Sequence, residues 1–419
     1  MRNPNVLNLT SMKTTLKQDD IIAVWNFIKK YSYVLVAAFF VFLAMYLRLT
    51  NLDHVSGDYN QFLRHWMDEI VNLGGFASLG TAIGDYSPPY VIILTILSYF
   101  PTPDSTTPFL IPIKQVSVIF DLVLAIGIFF LVASLLKKDE ERFPKATLAG
   151  VVTLYLPTIF LNSAIWGQAD SIYTAFIVWA LYFYVTKKHL WGMVMFAIAF
   201  SFKLQAIFIV PLLVMMYLLN RPKQLWHIVL IPIIYFLFCI PALIGGRPLG
   251  DLLTIYVHQT NTYQLLTLNM PNMYQWFPAD TYRYGMLAPY GVALFALLMA
   301  IAFFYLVIKK LRISKDSIID IALWSVLMAN FFLPAMHERY LYMADGLSLA
   351  YYITKKRHMW VPLLVNLISL FAYFPFLFGM EPVPHEYVAV GYAVLIVLFT
   401  RQVFNDLTPR DETIAPELA

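Results

Sequence analysis

The chemically capable side chains closest together in this chain lie in the stretch that begins at Gly57, just after the first long apolar run. Asp58 could act as a general base toward a hydroxyl, and Arg64 and His65 could donate hydrogen bonds to an anion. Asp58 also has a structural interpretation, because Gln61 three residues later completes the pattern of a helix capping box. Spacing alone leaves both interpretations open.

Three further polar side chains, Asp85, Gln168 and Asp170, are candidates for a site, and Asp85 has the same ambiguity as Asp58. Asp85, which precedes Tyr86-Ser87-Pro88-Pro89, either caps a helix that begins at the prolines or adds a second carboxylate to the same site. Asp170 alone is expected to cap the next helix, and Trp166 alone to belong to an aromatic belt. Gln168 between them has no evident structural task.

Two basic elements could bind phosphate. Lys203 interrupts a long apolar stretch and is either a snorkelling lysine at two helix ends or a phosphate contact. In His337-Glu338-Arg339 the planar guanidinium suits phosphate and the histidine adds a donor. The simpler alternative there is an ion pair between Glu338 and Arg339 at a helix end.

One acid, Asp121, falls inside an apolar run, where a carboxylate is costly enough to be treated as functional by default. Its expected partner is a lysine such as Lys114 or Lys203, so a structural ion pair is the leading interpretation.

The composition places these residues in a polytopic membrane protein. Hydrophobic residues make up 60% of the chain and charged residues 13%, against roughly 25% charged in a soluble domain. The first apolar run has no signal-peptide cleavage site, so we expect it to remain as a helix. Apolar runs near the roughly 20 residues that cross a bilayer predict an all-α fold with twelve transmembrane helices, at 31–49, 114–136, 146–162, 170–186, 189–203, 204–219, 225–245, 288–308, 317–335, 340–354, 358–379 and 387–404.

The distribution of basic residues predicts the orientation. Most of the 29 lysines and arginines fall on one side if the N-terminal segment 1–30 and the tail 405–419 are cytoplasmic. The long segments 50–113 and 246–287 are then outer loops of a single membrane domain, 1–419. The net charge of +4 reflects cytoplasmic anchoring, and nucleic acid is not an expected partner.

Both outer loops have features of a binding surface. Apolar residues at helical spacing from Asp58 to about Leu73 predict an amphipathic helix on the membrane surface, and a second interfacial helix is expected to begin at Ser87. The second loop is rich in amides and aromatic rings, a weak signal of sugar recognition. Its residues of this kind are His258, Gln259, Tyr263, Gln264, Asn269, Asn272, Tyr274, Gln275 and Trp276.

Several site types are not indicated. We find no P-loop, no HExxH or GxSxG motif and no DxD pair in the first loop, so neither a nucleotide nor a metal site is predicted, and no cofactor is expected. The chain has a single cysteine, Cys239, which falls inside a predicted span. An intrachain disulfide is excluded because it needs two cysteines.

Taken together, the motifs resemble those of the GT-C superfamily of lipid-phosphate-sugar-dependent glycosyltransferases. The resemblance is greatest to the dolichyl-phosphate-glucose glucosyltransferases of N-glycan assembly and their bacterial mannosyltransferase-like relatives. It covers roughly residues 55–345. The motifs that carry it, in family order, are Gly57-Asp58-Tyr59, Arg64-His65-Trp66, Glu69-Ile70, Asp85-Tyr86 with Pro88-Pro89, Asp121, Trp166-Gly167-Gln168, Phe202-Lys203 and His337-Glu338-Arg339.

The resemblance implies an inverting, metal-independent hexosyl transfer from a polyprenyl-phosphate sugar donor to a glycan or lipid-linked acceptor, among membrane lipids. Asp58 would be the base, while Lys203, Arg339 and His337 would contact the leaving phosphate. The other candidates for substrate binding are Arg64, His65, Asp85, Tyr86, Gln168, Asp170 and Glu338. The chain departs from the pattern in two places: one extra residue precedes Arg64, and an arginine replaces the usual lysine after Glu338.

Three other functions remain open. A lipid-linked-sugar flippase would be expected to show discontinuous helices, mid-membrane charges and often two similar halves, whereas here the polar residues gather at one face. A ligase or polymerase acting on polyprenyl-diphosphate glycans is the nearest competing enzyme. A structural membrane scaffold without enzymatic activity is the remaining alternative. The short loops suit a bacterial plasma membrane, and the endoplasmic reticulum would be expected of a eukaryotic protein.

Overall fold

The computed structural model describes residues 18–100, 106–220 and 222–409. The predictions for 1–17 and 410–419, at the two ends of the chain, lie outside the described residues. Helix accounts for 77% of the structure and strand for 2%, which confirms the predicted helical fold. The exception is one parallel pair of two-residue strands that the sequence did not predict.

The described residues form sixteen α-helices. These are α1 Gln18–Leu49, α2 Arg64–Asn72, α3 Pro88–Leu97, α4 Leu110–Leu135, α5 Arg142–Tyr155, α6 Pro157–Phe160, α7 Asp170–Val185, α8 His189–Phe202, α9 Val210–Asn220, α10 Leu230–Ile244, α11 Leu249–Thr262, α12 Thr281–Ile308, α13 Ile318–Phe332, α14 Tyr342–Lys355, α15 Trp360–Phe378 and α16 His385–Asn405. The strands are β1 Thr267–Leu268 and β2 Met336–His337. π-Helical turns occur at Tyr59–Leu63 and Leu161–Trp166, and 3-10 turns at Gly75–Gly80, Leu204–Ile209, Pro222–Val229 and Lys315–Ser317.

Helices occur at all twelve predicted spans, but twelve crossings are not confirmed. In the described part of the chain, six helices are long and apolar enough to cross a membrane: Lys30–Leu49, Leu110–Leu135, Lys223–Ile244, Thr281–Ile308, Trp360–Phe378 and His385–Asn405. A bent pair, Arg142–Tyr155 with Pro157–Trp166, would make a seventh. Helices of 14 to 16 residues, such as α7, α8 and α14, rise only about 21 to 24 Å, less than the roughly 30 Å of a hydrocarbon core. The structure fits a helical membrane protein.

The short helices form the interior of the molecule. α7 packs between α4 and α8, and α14 contacts α4, α5, α7, α13 and α15. Nearly every side chain of α13 is buried. A helix that is apolar all round must be enclosed by other helices or by lipid. These segments are enclosed by other helices, and their sequences nevertheless resemble those of transmembrane helices.

The first helix is attached to this core by a buried ion pair. Most of α1 is exposed, as expected for a helix that faces lipid, yet Arg48 is only 1% exposed. Its Nε lies 2.8 Å from Oδ2 of Asp121 on α4, and Ser163 and Tyr342 also donate to that carboxylate. The prediction that Asp121 pairs with Lys114 or Lys203 was wrong in its partner, because Lys114 donates to the carbonyl of His54 and Lys203 pairs elsewhere.

The first long loop contains the predicted helices, with one irregularity. A π-helical turn at Tyr59–Leu63 leads directly into α2, and α3 begins at Pro88 after Ser87. A π-turn takes one more residue per turn than an α-helix, so it changes the direction in which the side chains of α2 project relative to Asp58. The loop is held against α10 where two backbones meet: a Cβ built on Gly80 would overlap the carbonyl oxygen of Gly245.

Candidate active site

Both long loops and four helix ends enclose a cavity of about 600 Å³, here called the charged cavity. Eight of the predicted site residues line it: Asp58, Asp85, Tyr86, Gln168, Lys203, His337, Glu338 and Arg339. Asp170 lies behind them, fully buried, in contact with Lys203 and Arg339. The structure therefore gathers residues that are far apart in the sequence around one space.

Asp58 is not the side-chain cap that its spacing allows. It precedes the π-helical turn but makes no side-chain capping bond, and only 9% of it is exposed. Its Oδ2 instead accepts hydrogen bonds from Nε1 of Trp166, at 2.9 Å, and from Nε2 of Gln168. Both described bonds go to one oxygen, which leaves Oδ1 as the atom able to accept from a hydroxyl.

The two donors to Asp58 come from one turn whose backbone requires glycine. The π-helical turn Leu161–Trp166 ends at Gly167, which has φ of 82°, a left-handed conformation that favours a residue without a Cβ. The N–H groups of Gly167 and Gln168 both donate to the carbonyl of Asn162. This tight turn directs Trp166 and Gln168 toward the same carboxylate.

Trp166 is held rigidly, so the prediction that it belongs to an aromatic belt was wrong. It is fully buried. Its ring stacks on that of Phe376, with the ring centroids 4.7 Å apart, and meets the ring of Tyr373 edge-on at a centroid distance of 5.3 Å. The hydroxyl of Ser56 donates to its carbonyl at 2.8 Å. A buried indole N–H needs an acceptor, and Asp58 provides it.

Lys203 is buried and paired, not snorkelling toward solvent. It follows the last residue of α8, is 8% exposed, and its Nζ lies 2.5 Å from Oδ1 of Asp170. The rings of Tyr86, Tyr173 and Tyr340 surround the ammonium group at about 6 Å. Asp170 lies in the first turn of α7 and is not its N-cap, which is Ala169.

Arg339 is the second cation of the charged cavity, and its side chain is 14% exposed. Its Nη1 lies 3.0 Å from Oε1 of Glu338, which confirms the predicted pair, and its Nε lies 3.7 Å from Oδ2 of Asp170. The guanidinium also sits over the rings of Trp166 and Tyr340. Of its five N–H donors, the described hydrogen bonds use one on Nη1, so Arg339 retains donor capacity on its Nη atoms.

The strand pair positions the His337-Glu338-Arg339 element. β1 pairs with β2 in parallel, with Leu268 opposite His337, and the N–H of Glu338 donates to the carbonyl of Leu268 at 2.9 Å. Ala335 turns the chain with φ of 57° just before β2. The segment 246–287 thus fixes the register of the basic element. Sequence periodicity could not show this for strands of two residues.

Burial and neighbouring charges shift the pKa values in this element. Burial and the Arg339 charge lower the pKa of His337 below its ordinary value, so the imidazole is neutral near pH 7. Burial alone would raise the pKa of Glu338, but its contact with His337 and the charge of Arg339 lower it. Burial alone would lower the pKa of Arg339, but the carboxylates of Glu338, Asp170 and Asp58 raise it. Asp58 is thus one of the charges that act on the guanidinium.

The remaining wall of the charged cavity is formed by the segment 246–287 and the segment before α3. Gln259, Tyr263 and Asn269 line it, as does Tyr86, whose pKa burial raises well above its ordinary value. Nε2 of Gln259 donates to the backbone carbonyl of Asp85, so the two loops are joined at the rim. Asp85 does not cap α3, whose N-cap is Ser87.

Two predicted residues do not reach the cavity. Arg64 is half-buried and His65 exposed, and neither belongs to the lining. The π-helical turn explains this, because it rotates α2 relative to Asp58. Sequence reasoning also missed Tyr90 and Gln205, which do line the cavity, and only their nearness in sequence to Tyr86 and Lys203 could have indicated them.

No protein-family model matches this chain, and no curated protein matches it either. Among the described residues, no group of three or more His, Cys, Asp or Glu side chains is arranged to hold a metal ion.

Proposed function

We propose that this protein is a membrane glycosyltransferase that moves a hexose from a polyprenyl-phosphate donor to a glycan or lipid-linked acceptor, with inversion and without a metal. The observation that carries the proposal is that Asp58, Lys203 and Arg339 face one cavity of about 600 Å³ inside a helical membrane protein. A base and two cations around one cavity are the groups that a hydroxyl nucleophile and a phosphate leaving group require.

In the proposed reaction Oδ1 of Asp58 removes the proton of the acceptor hydroxyl. The hydroxyl oxygen forms a bond to the anomeric carbon as the bond from that carbon to the phosphate oxygen breaks, and the phosphate keeps the electron pair. Trp166 and Gln168 hold Oδ2, which fixes the direction in which Oδ1 points. Attack opposite the leaving group inverts the anomeric centre.

The two cations have hydrogen-bond donors to spare for the leaving phosphate. Lys203 has three N–H donors, and one is directed to Asp170. Arg339 has five; one is directed to Glu338, and the buried Nε lies 3.7 Å from Asp170, so the remaining Nη donors are the ones left for the phosphate. Asp170 and Glu338 keep both cations in place before the donor binds, so stabilisation of the developing phosphate charge needs little reorganisation.

The sugar would lie against the amide and aromatic wall of the charged cavity. Gln259 and Asn269 offer donors and acceptors for hydroxyls, and Tyr263 and Tyr86 offer ring faces. The proposed placement leaves the lipid chain between the apolar helices. We place this face outside the cell or in the lumen, in a bacterial plasma membrane or in the endoplasmic reticulum of a eukaryote, following the charge bias of the loops.

The test is transfer by the purified protein from a panel of short-chain polyprenyl-phosphate hexoses, with the anomeric configuration of the product read by NMR. We expect turnover with the native protein and none with Asp58→Asn, which keeps the shape of the side chain but cannot accept the proton. Asp68→Asn is the matched control, because Asp68 is exposed on α2 and does not line the charged cavity.

Unimpaired transfer by Asp58→Asn would overturn the assignment of the base. Movement of the intact lipid-linked sugar across vesicles without any transfer would favour the flippase, and activity only with polyprenyl-diphosphate glycans would favour the ligase or polymerase.

A further inference from the structure

A second cavity, of about 770 Å³, lies at the other end of α8 from Lys203. The 14 residues of α8 separate the two ends by about 21 Å. We call it the basic pocket; the residues that matter to the argument are Lys187, Lys188, Gln224, His227, Leu190 and Trp191. None of these belongs to the charged cavity, so the basic pocket is a separate site.

The basic pocket carries positive charge that the described protein does not neutralise. Lys187 and Lys188 are both exposed, and none of the ion pairs found among the described residues involves either of them. No Asp or Glu belongs to its described lining. Two adjacent lysines in a concave site without an acid attract an anion.

A buried histidine adds a directional donor. His227 is only 6% exposed, and its Nδ1 lies 3.1 Å from the hydroxyl of Tyr217. When the tyrosine hydroxyl donates to Nδ1, the neutral imidazole carries its proton on Nε2, and this is the donor that His227 offers to the pocket it lines. The amide of Gln224 lies beside it. Ammonium, imidazole and amide donors together suit the oxygens of a phosphate group.

The rim of the basic pocket is apolar, which indicates where the phosphate comes from. Leu190 and Trp191 line it and are 41% and 54% exposed. Tryptophan beside lysine at a helix end is typical of the membrane interface. A soluble anion has no use for such a rim, whereas a phospholipid lays its acyl chains along it while its headgroup enters the pocket.

We propose that the basic pocket binds the headgroup phosphate of an anionic phospholipid. The charge bias of the loops places this end of α8 at the cytoplasmic leaflet, whose anionic lipids attract basic clusters. The proposal does not depend on the glycosyltransferase function, since it concerns residues about 21 Å away along α8.

The test uses the full chain, purified in detergent and delipidated, and titrated with phosphatidylglycerol or with phosphatidylcholine. Binding is followed by native mass spectrometry and by thermal stabilisation. We expect phosphatidylglycerol to bind more tightly than phosphatidylcholine, and the double variant Lys187→Gln/Lys188→Gln to weaken that binding by roughly tenfold or more. Lys187→Arg/Lys188→Arg keeps both charges and should retain it.

The matched control is Lys137→Gln/Lys138→Gln, an adjacent pair of exposed lysines that follows α4 and has acids next to it in the chain. This variant should bind phosphatidylglycerol like the native protein. An equal loss in both glutamine variants would overturn the proposal, because it would show a diffuse charge effect. Equal binding of the two lipids would also overturn it. Displacement of the lipid by a modest concentration of inorganic phosphate would overturn the assignment to a lipid and assign the pocket to a soluble phosphate.

Discussion

The charged cavity and the basic pocket each present two cations, but they hold them in opposite ways. In the cavity, Lys203 is buried and Arg339 is largely buried, and each has a carboxylate partner, Asp170 or Glu338. In the pocket, Lys187 and Lys188 are exposed, and none of the ion pairs among the described residues includes them. An unpaired charge is too costly to bury, so only the cations with acid partners can be fixed in advance of a ligand.

This difference separates two kinds of anion binding. Buried, paired cations keep one geometry with or without an anion, which suits the stabilisation of charge that develops during a reaction. Exposed lysines keep their rotamer freedom and lose it only on binding, which suits reversible attachment to a surface. The comparison can be tested by removing members of each set.

The largest effect is expected for Asp170→Ala. It leaves Lys203 buried without its carboxylate and removes one acid from Arg339, so the free energy of unfolding should fall by about 3 to 5 kcal/mol. Reversible unfolding in detergent measures it. The exposed Asp68→Ala should change stability by no more than about 0.5 kcal/mol. A loss below about 1 kcal/mol in Asp170→Ala would mean that these cations do not depend on their acid.

A smaller and purely local effect is expected for Trp166→Phe. Phenylalanine keeps the stacking on Phe376 but removes the N–H that donates to Asp58. A hydrogen bond to a charged group contributes about 1.5 to 3 kcal/mol, so transfer should slow by roughly tenfold to a hundredfold. Phosphatidylglycerol binding at the basic pocket should not change. Trp191→Phe, at the rim of that pocket, should leave the transfer rate intact.

The pH dependence of stability should report on the His337-Glu338-Arg339 element of the charged cavity. The pKa of His337 is lowered from its ordinary value of 6.5 and that of Glu338 from 4.5. In both cases the unfolded chain binds the proton first, so stability is complete above these values and is lost as the pH falls, first below about 6.5 and further below about 4.5. Thermal unfolding between pH 8 and 4 measures it. His337→Gln should flatten the first part of the slope, and a slope unchanged by that variant would contradict this account. Lys187→Gln/Lys188→Gln should leave the slope unaltered.

The smallest effect is expected for Lys188→Met. An exposed lysine without an ion pair contributes little to folding, so the free energy of unfolding should change by less than about 0.5 kcal/mol. The same unfolding measurement as for Asp170→Ala checks it. A loss of several kcal/mol would show that the basic pocket needs its lysines to fold, which would erase the distinction between the two regions.

Much of the fold follows from local pattern. Apolar runs predict a helix at each of the twelve positions where one occurs, because apolar periodicity and length are properties of the segment itself. The number of crossings does not follow, since α13 and α14 are apolar through enclosure by other helices. Hydropathy measures the absence of polar groups and does not distinguish a protein environment from lipid.

The candidate site was predictable where residue type alone carries information. The sequence singles out Asp58, Asp85, Lys203 and His337-Glu338-Arg339, because charged residues next to apolar segments are costly and therefore conspicuous. In the structure they surround one cavity. Arg64 and His65 were misplaced, since a single π-helical turn changes which face a residue occupies. Arg48 as the partner of Asp121, and Trp166 as a donor to Asp58, depend on contacts between distant segments that no local pattern encodes.

The contact between Gly80 and Gly245 has a consequence for mutational scanning. Neither position tolerates a Cβ, because it would enter the other backbone, and the 3-10 turn that ends at Gly80 belongs to the same loop as Asp58. Any larger residue there would separate that loop from α10 and move one wall of the charged cavity. A scan scored on activity alone would therefore rank these two glycines beside the base. Scoring abundance in parallel would separate them, since a larger residue at either glycine disturbs packing, whereas Asp58 is proposed to act only as a proton acceptor.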